Sequence, residues 1–460
     1  MPVSFRSKKT TTMVIKQFED KPLAHYSYAI LSGDEIALVD PSRDPGPYYR
    51  FAAEHKAKIT MVFETHPHAD FVSSHLQIHQ ETGATIYASK LVGASYPHQT
   101  FDEGDRLQLG ETALWALNTP GHSPDSISII AKDAEGTHAM FSGDTLFIGD
   151  VGRPDLREKA GNLTAKREEL ARMMYQTVQE KFNDLPDDTL IYPAHGAGSL
   201  CGKNLSSDAS STLGNERMGN WAFQVKSEAE FVAEILSDQP FIPAYFGFDV
   251  DLNKEGPARY ETAVGAVPLH WQPQSLEAGV TVVDTRDGDT FKKGHYPGSI
   301  NIMARDEDDK IETWLGSIVQ PEEPFFLVIG SLEDRDTVLH RVAKIGYEKQ
   351  VRAVVVPAAG LPKKSGTLPL ADFRDHPDQF TIVDIRNPGE FREGAFFENA
   401  LHIPLNELRD SIGKIPTDKP LVVHCAGGYR SAAGSSILEE AIGGQPVYDL
   451  SEAVEEFKES

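Results

Sequence analysis

Two stretches of this chain, 100 positions apart, carry the same pattern: VTVVDTRDGDTFKKGHYPGSINI from Val280 and FTIVDIRNPGEFREGAFFENALHI from Phe380. Asp284 matches Asp384, Arg286 matches Arg386, Phe291 matches Phe391 and Gly294 matches Gly394. Each copy reads as an apolar strand ending in D-x-R, a turn and a helix onset, and each continues into a second buried strand, FFLVIG or LVVHCA. A repeat of this kind fixes the second half as two similar α/β units, expected at 268–365 and 366–460.

The first half has a different rhythm. Apolar runs such as YAILSG, EIALVD, TMVFET, TIYAS, ISIIA, AMFSG and TLIYPA alternate with helix-like stretches such as KREELARMMYQTVQEKF. This predicts a separate α/β domain over 1–245, followed by a Pro- and Gly-punctuated linker over 246–267. With 460 residues the chain is too long for one ordinary core, which agrees with three domains.

Composition narrows the partners. The formal charge of −25 opposes a nucleic-acid partner, because no basic patch is segregated to meet phosphates. No run approaches the roughly 18 apolar residues of a membrane span. The start carries Arg6, Lys8 and Lys9 without an apolar stretch behind them, so no secretory signal is expected. Two cysteines far apart, Cys201 and Cys425, fit individually placed thiols in a reducing, cytoplasmic setting better than a disulfide.

Residues of metal-ligand type follow the apolar strands of the first half. TMVFET runs into His66-Pro-His68-Ala-Asp70-Phe71; TPGHS holds His122, MFSGDTLF holds Asp144 and IYPAHG holds His195. Strand ends in a layered α/β fold converge on one edge, where side chains distant in sequence can share an ion. This ordered set resembles the metallo-β-lactamase superfamily, which implies an αββα sandwich with metal at one edge of its two sheets. The family motif HxHxDH ends here in Phe71, which has no lone pair, so a complete second metal site is not expected. His66, His122 and Asp144 remain, two imidazoles and a carboxylate, a set suited to non-haem Fe(II) but also usable by zinc.

A narrower resemblance, to the persulfide dioxygenase branch, implies that these three hold one Fe(II) per chain. It also implies that His68, Asp70 and His195 orient the ligands or a bound water. In GDVGRPDL, Arg153 and Asp155 match that branch, although Arg153 also reads as an ordinary ion pair with Asp155 or Asp150. Cys201, in the small-residue loop AHGAGSLCGKNL, has two readings: a buried small hydrophobe, or a thiol that handles sulfane sulfur beside the metal.

In LVVHCAGGYRS an apolar strand delivers Cys425 to a glycine-bearing loop that leads through Arg430 and Ser431 into a helix. Inward N–H groups, the helix N-terminus and Arg430 would favour a charged sulfur there. The pattern resembles the rhodanese active loop, which implies that Cys425 carries transferred sulfur and Arg430 helps hold the substrate anion. Four residues separate Cys425 from Arg430, one too few for the related phosphatases. In the first copy, laying FFLVIGSLEDRD over this loop places Gly330 at the cysteine and Asp334 one residue ahead of Arg335, so that unit is expected to be silent.

Dioxygenase, silent rhodanese and active rhodanese, in that order, resemble the bacterial CstB-type sulfide-detoxification enzymes. The resemblance implies oxidation of a thiol persulfide (glutathione, coenzyme A or bacillithiol type) by O2 to sulfite, and rhodanese transfer that joins sulfite to sulfane sulfur as thiosulfate. A homo-oligomer is compatible with such a long multidomain chain. The rival expectations are a zinc-dependent thioester hydrolase resembling glyoxalase II, and a non-oxidative sulfur carrier working through Cys425 alone.

Overall fold

The structure, a computed structural model, describes residues 12–156 and 166–458. The basic positions at the start, Arg6, Lys8 and Lys9, lie outside the described residues. The chain divides into two compact units: one runs to Ile242 and adds Phe246–Tyr260, the other takes Pro243–Tyr245 and the chain from Glu261 on.

The first unit is built on two six-stranded sheets. One runs in chain order through β1 (Val14–Asp20), β2 (His25–Ser32), β3 (Glu35–Val39), β4 (Lys58–Phe63), β5 (Thr85–Ala88) and β6 (Gln99–Thr100). The other has the order β12-β11-β10-β9-β8-β7, from β7 (Arg106–Leu109), β8 (Thr112–Asn118), β9 (Ile127–Lys132), β10 (His138–Gly143), β11 (Leu190–Pro193) and β12 (Ser211–Thr212). Alternation along the strands sorts the apolar side chains. Tyr28, Ile30, Phe63, Ile129 and Phe141 belong to one core cluster that draws on both sheets. The alternate residues Ala29, Leu31 and Val62 pack with Tyr48, Phe51 and Ile78 of the helices Gly46–His55 and His75–Thr82. Ile130, Met140 and Ile191 pack with Met174 and Phe231 of the helices Arg167–Gln176 and Glu228–Leu236. Strands buried on both faces need apolar residues throughout, which is why these runs are nearly continuous. The result is the αββα arrangement.

Strand direction positions the site. β8 and β10 both run antiparallel to β9, and β11 runs parallel to β10, so the loops after β8, β10 and β11 leave by the same edge. Thr65, just past β4, is tied to them through the Ile127 N–H, which donates to the Thr65 carbonyl at 2.9 Å. Gly143, with φ of 55°, makes this approach feasible, since a Cβ there would lie 2.5 Å from Thr65 Oγ1.

The segment expected as a linker is folded. Phe246–Glu255 is a helix of the first unit, and Tyr260–Gly265 is a short helix that belongs to the second unit from Glu261 on. Phe246 and Val250 are apolar and buried, which anchors the first helix, while Pro and Gly at its C-terminal side supplied the misleading loop signal.

The second unit contains two parallel sheets. The first has the order β13-β17-β16-β14-β15, formed by Leu269–Trp271 (β13), Thr281–Asp284 (β14), Ser299–Asn301 (β15), Phe325–Val328 (β16) and Val351–Val356 (β17). The second has the order β19-β18-β20-β21, formed by Thr381–Asp384 (β18), Leu401–His402 (β19), Leu421–His424 (β20) and Val447–Asp449 (β21). The repeat is therefore expressed as two equivalent strand pairs, β14 on β16 and β18 on β20, each parallel. Among the described residues, no helix is long and apolar enough to cross a membrane.

Candidate metal centre and sulfur-transfer loop

His66, His122 and Asp144 converge, each at most 2% exposed. Their nearest ligand atoms lie within 4.8 Å of one another. Asp144 Oδ2 stands 3.8 Å from His66 Nε2 and 3.5 Å from His122 Nε2. The outer nitrogen of each imidazole is already engaged. His122 Nδ1 lies 2.9 Å from the Arg153 carbonyl, which can only accept, so Nδ1 carries a proton and Nε2 is the nitrogen turned to Asp144. Thr65 Oγ1 donates to Asp40 Oδ2 at 2.8 Å and is thereby left to accept from His66 Nδ1 at 3.0 Å. Burial, reinforced by the neighbouring His68, pushes His66 well below its ordinary pKa against the pull of Asp144, so its ring is neutral.

Asp144 is fixed from its other side. Its Oδ1 pairs with His195 Nδ1 at 2.7 Å, and His195 Nε2 in turn lies 2.8 Å from Asp70 Oδ2. Burial acts to raise the Asp144 carboxyl, but His195, His122 and His66 outweigh it and hold it well below the usual carboxylate range. Among the described residues, Asp144 Oδ2 is buried with no hydrogen-bond partner. The inward Nε2 atoms of His66 and His122, facing a carboxylate oxygen without a hydrogen-bond partner among the described residues, form a donor set that fits a divalent cation.

The other residues singled out from the sequence fall around this centre. His195 and Asp70 form the chain behind Asp144 just described. His68 faces elsewhere: its Nε2 lies 3.1 Å from Asp40 Oδ1 and 3.6 Å from Glu64 Oε2. The Arg153 guanidinium is a brace, held by both Asp155 oxygens at 2.7 and 2.8 Å and by the carbonyls of Leu200 and Pro240. What Arg153 offers the centre is its own carbonyl, on His122. Phe71 is buried against His25 and His68, with ring centroids 3.9 and 4.3 Å apart.

The sequence reading offered Cys201 as a thiol beside the metal but named no partners for it, and it missed Asn253. Cys201, 1% exposed, has its sulfur within 4.8 Å of ligand atoms of Asp70 and His195, a second compact donor set beside the first. Burial, with Asp70 and Asp144 adding to it, pushes this thiol well above its ordinary pKa. Asn253 ties down the turn from His68 to Ser73: its Nδ2 donates to the carbonyls of His68 and Phe71, and its Oδ1 accepts from the Ser73 N–H. No local signal at either position could have revealed these partners.

In the second unit, Cys425 follows β20 directly and is 1% exposed. The Gly428 N–H donates to Cys425 Sγ at 3.2 Å, with Gly428 at φ 96°. A Cβ at Gly428 would lie 3.0 Å from the backbone at Ser451 and Glu452, so both conformation and space require glycine. The helix Tyr429–Ala441 starts at once, its N-terminus beside the sulfur. The Arg430 guanidinium is gripped by Glu390, Nη1 to Oε2 at 2.6 Å and Nη2 to Oε1 at 2.7 Å.

Strand register corrects the placement of Gly330. Val328 pairs across from Asp284 as His424 does from Asp384, so Ile329 stands at the cysteine position, and five residues on in each loop Asp334 falls where Arg430 does. The earlier placement aligned the arginines of the two loops; the parallel strands fix the alignment one residue away.

Comparison with known proteins gives two family matches: the metallo-beta-lactamase superfamily over residues 20–195 and the rhodanese-like domain over 370–460. The human mitochondrial persulfide dioxygenase ETHE1 is 30% identical over 200 residues, 42% of this chain and 72% of that protein. A cytoplasmic hydroxyacylglutathione hydrolase of Arabidopsis thaliana is 33% identical over 176 residues, 37% of this chain and 63% of that protein. The chain thus spans a little under two thirds of the length of hydrolase relatives such as those of Arabidopsis thaliana (63%) and Haemophilus ducreyi (65%). Among solved structures, a metallo-beta-lactamase from Staphylococcus aureus subsp. aureus COL is 34% identical, with a TM-score of 0.67 over 76% of this chain and 99% of that one. With these matches in the same order as the two units, the chain belongs to the metallo-beta-lactamase superfamily and carries a rhodanese-like domain at its C-terminal side.

Proposed function

We propose that this protein is a mononuclear non-haem iron persulfide dioxygenase coupled to a rhodanese that passes sulfane sulfur to sulfite. The observation that carries the reading is the set His66, His122 and Asp144, two inward Nε2 atoms facing a carboxylate oxygen without a hydrogen-bond partner among the described residues, with Phe71 where a further ligand would continue the motif. His66, His122 and Asp144 would hold Fe(II), which supplies the redox centre at which O2 and the persulfide sulfur react. The chain's own part is orientation: Thr65 and the Arg153 carbonyl fix which imidazole nitrogen faces inward, and His195 with Asp70 fixes the Asp144 carboxylate. In the overall reaction one O2 and one water supply the three sulfite oxygens, and the inner sulfur leaves as the free thiol. At the second site, the sulfite sulfur takes the outer sulfur of a Cys425 persulfide; the S–S bond breaks, and its electron pair stays on Cys425 as thiolate. The resemblance to human persulfide dioxygenase ETHE1 supports the first step, and the rhodanese-like match supports the second. A glutathione, coenzyme A or bacillithiol persulfide as the substrate, and a reducing, cytoplasmic setting, belong to the same reading.

Oxygen uptake by iron-loaded protein supplied with glutathione persulfide tests it. Asp144→Ala should reduce uptake by at least a hundredfold while leaving rhodanese transfer intact, because it removes both a ligand and the partner of His195. Uptake that survives the substitution would sink the iron reading.

A second reading draws on Asp70, His195 and Cys201. These could hold a second ion and turn the centre into a two-metal thioester hydrolase, in line with the hydroxyacylglutathione hydrolase relatives. Two zinc ions per chain, with acyl-glutathione hydrolysis and no oxygen uptake, would select it over the first.

A further inference from the structure

In the second unit several positive charges arrive already matched. Arg430 is held bidentately by Glu390, and Arg386 by Asp384, with Arg386 Nη2 to Asp384 Oδ2 at 2.7 Å. Lys292 pairs with Asp449 at 2.8 Å, and the Glu452 backbone backs Gly428. Glu390 is itself anchored, its Oε2 accepting from the Asn387 N–H at 2.9 Å in a reciprocal cap on the helix Pro388–Arg392. Burial acts to raise the Glu390 carboxyl, but the hydrogen bonds and charge of Arg430 outweigh it, so the carboxylate is ionised at neutral pH.

A guanidinium offers a fork of five N–H groups, and a carboxylate that takes two of them also cancels its field on an arriving anion. The hydrogen bonds of Glu390 are to Arg430 and the Asn387 N–H, so its carboxylate bears on how much charge Arg430 presents. We infer that Glu390 is a specificity-determining residue of the Cys425 site, setting it for singly charged sulfur species, such as persulfide anions, and against tight retention of doubly charged ones. This rests on the sulfur-transfer reading and deepens it: thiosulfate, the doubly charged product of that reading, is held weakly and leaves freely. The same position in the first repeat is Thr290, and the uncharged Ile329 and the acidic Asp334 stand at the positions of Cys425 and Arg430.

Two sulfane donors of one chemistry and different charge test this on the full chain: thiosulfate, doubly charged, and methanethiosulfonate, singly charged. With either, the Cys425 thiolate attacks the outer sulfur, the donor S–S bond breaks, and sulfite or methanesulfinate leaves with the bonding pair. Cyanide then removes the outer sulfur as thiocyanate, which is measured. The wild-type KM should be at least about tenfold higher for thiosulfate than for methanethiosulfonate, and Glu390→Gln, which keeps a hydrogen-bond acceptor, should narrow that ratio to roughly twofold. The inhibition constant of added thiosulfate against a persulfide donor should fall in parallel. A wild-type enzyme that binds both donors equally overturns the inference whether or not the variant folds, as does an unchanged ratio in a folded variant. Absence of thiocyanate with both donors and with glutathione persulfide would instead overturn the sulfur-transfer reading beneath it.

Discussion

The two repeats of the second unit share a brace and differ at the positions of the proposed sulfur-transfer loop. In each, the aspartate ending the first strand grips the arginine two residues on, Asp284 with Arg286 at 2.6 Å and Asp384 with Arg386 at 2.7 Å. That arginine also donates to the carbonyl of Gly294 or Gly394, 2.9 Å in both copies. The pair closes the turn from strand to helix and serves folding, so it persists in both. At the reactive positions, by contrast, Cys425 is replaced by Ile329, Arg430 by Asp334, Glu390 by Thr290 and His424 by Val328. In the silent loop Asp334 Oδ2 accepts from the Ser331 N–H at 2.8 Å and from its hydroxyl at 3.1 Å, so a built-in carboxylate takes backbone donors of a kind that could otherwise meet a substrate anion. The silent repeat is not idle, however. The Tyr429 hydroxyl donates to the Met303 carbonyl at 2.9 Å, and Trp314 lies 5.8 Å beneath the Arg430 guanidinium. One repeat kept the scaffold and lent its surface to the other's loop.

The largest expected difference between the copies is in activity. Cys425→Ser should reduce sulfane transfer to cyanide by on the order of a thousandfold or more, because a hydroxyl at neutral pH is neither a comparable nucleophile nor a sulfur carrier. Ile329→Ser should leave the rate within a factor of two. A large loss at Ile329 would mean that the silent loop takes part in transfer after all.

The brace should behave alike in both copies. Asp284→Ala and Asp384→Ala each leave a largely buried guanidinium unpaired, at a cost of about 3–5 kcal/mol. Urea unfolding followed by fluorescence should show comparable midpoint losses. A much smaller effect at Asp284 would show that the silent copy no longer depends on its brace.

A third contrast is in pH dependence. Burial holds His424 neutral, with its pKa lowered to about 4, whereas Val328 in the silent copy has no proton to gain. The folded pKa lies below the unfolded value of 6.5, so between these values the unfolded chain binds more protons and stability falls as the pH is lowered through the window. The loss should approach roughly 3 kcal/mol near pH 4, and His424→Val should flatten the dependence. Identical pH profiles for variant and wild type would remove His424 from the account.

The smallest effect is at the shared surface. Trp314→Ala should weaken the seat of Arg430 by about 0.5–1 kcal/mol, read as a two- to fivefold rise in KM for sulfane donors at nearly constant kcat. Trp314→Phe should recover most of it. An unchanged KM would confine the silent repeat to a purely mechanical role.

How much of this was readable beforehand depends on the range over which each feature is fixed. His66, His122, Asp144, His195 and Cys425 were legible because each stands at the end of a strand or in the loop just after it, and the parallel and antiparallel pairings bring those strand ends to their edges. The helix Phe246–Glu255 was not, because Pro and Gly at its flanks outweighed a short apolar pattern whose partners lie in another part of the sequence. The one-residue error at Ile329 has the same origin: arginine was aligned with arginine, but the hydrogen-bonded register of β14 with β16 decides the matter.

The αββα sandwich was implied by the family resemblance; the sequence by itself determined the α/β character of the first half, the α/β repeat of the second, the order of donor residues at the strand ends, and the absence of the thiol from the first repeat. These follow from periodicity and residue chemistry, which act over a few positions. Only the tertiary structure decided which nitrogen of each histidine faces inward, that His68 turns to Asp40 and Glu64, that Cys201 joins Asp70 and His195, and that Glu390 grips Arg430 from 40 residues away. Such choices are made by buried polar groups satisfying one another across the fold. Differences of a few tenths of an ångström decide whether a bond forms, and no local pattern encodes them.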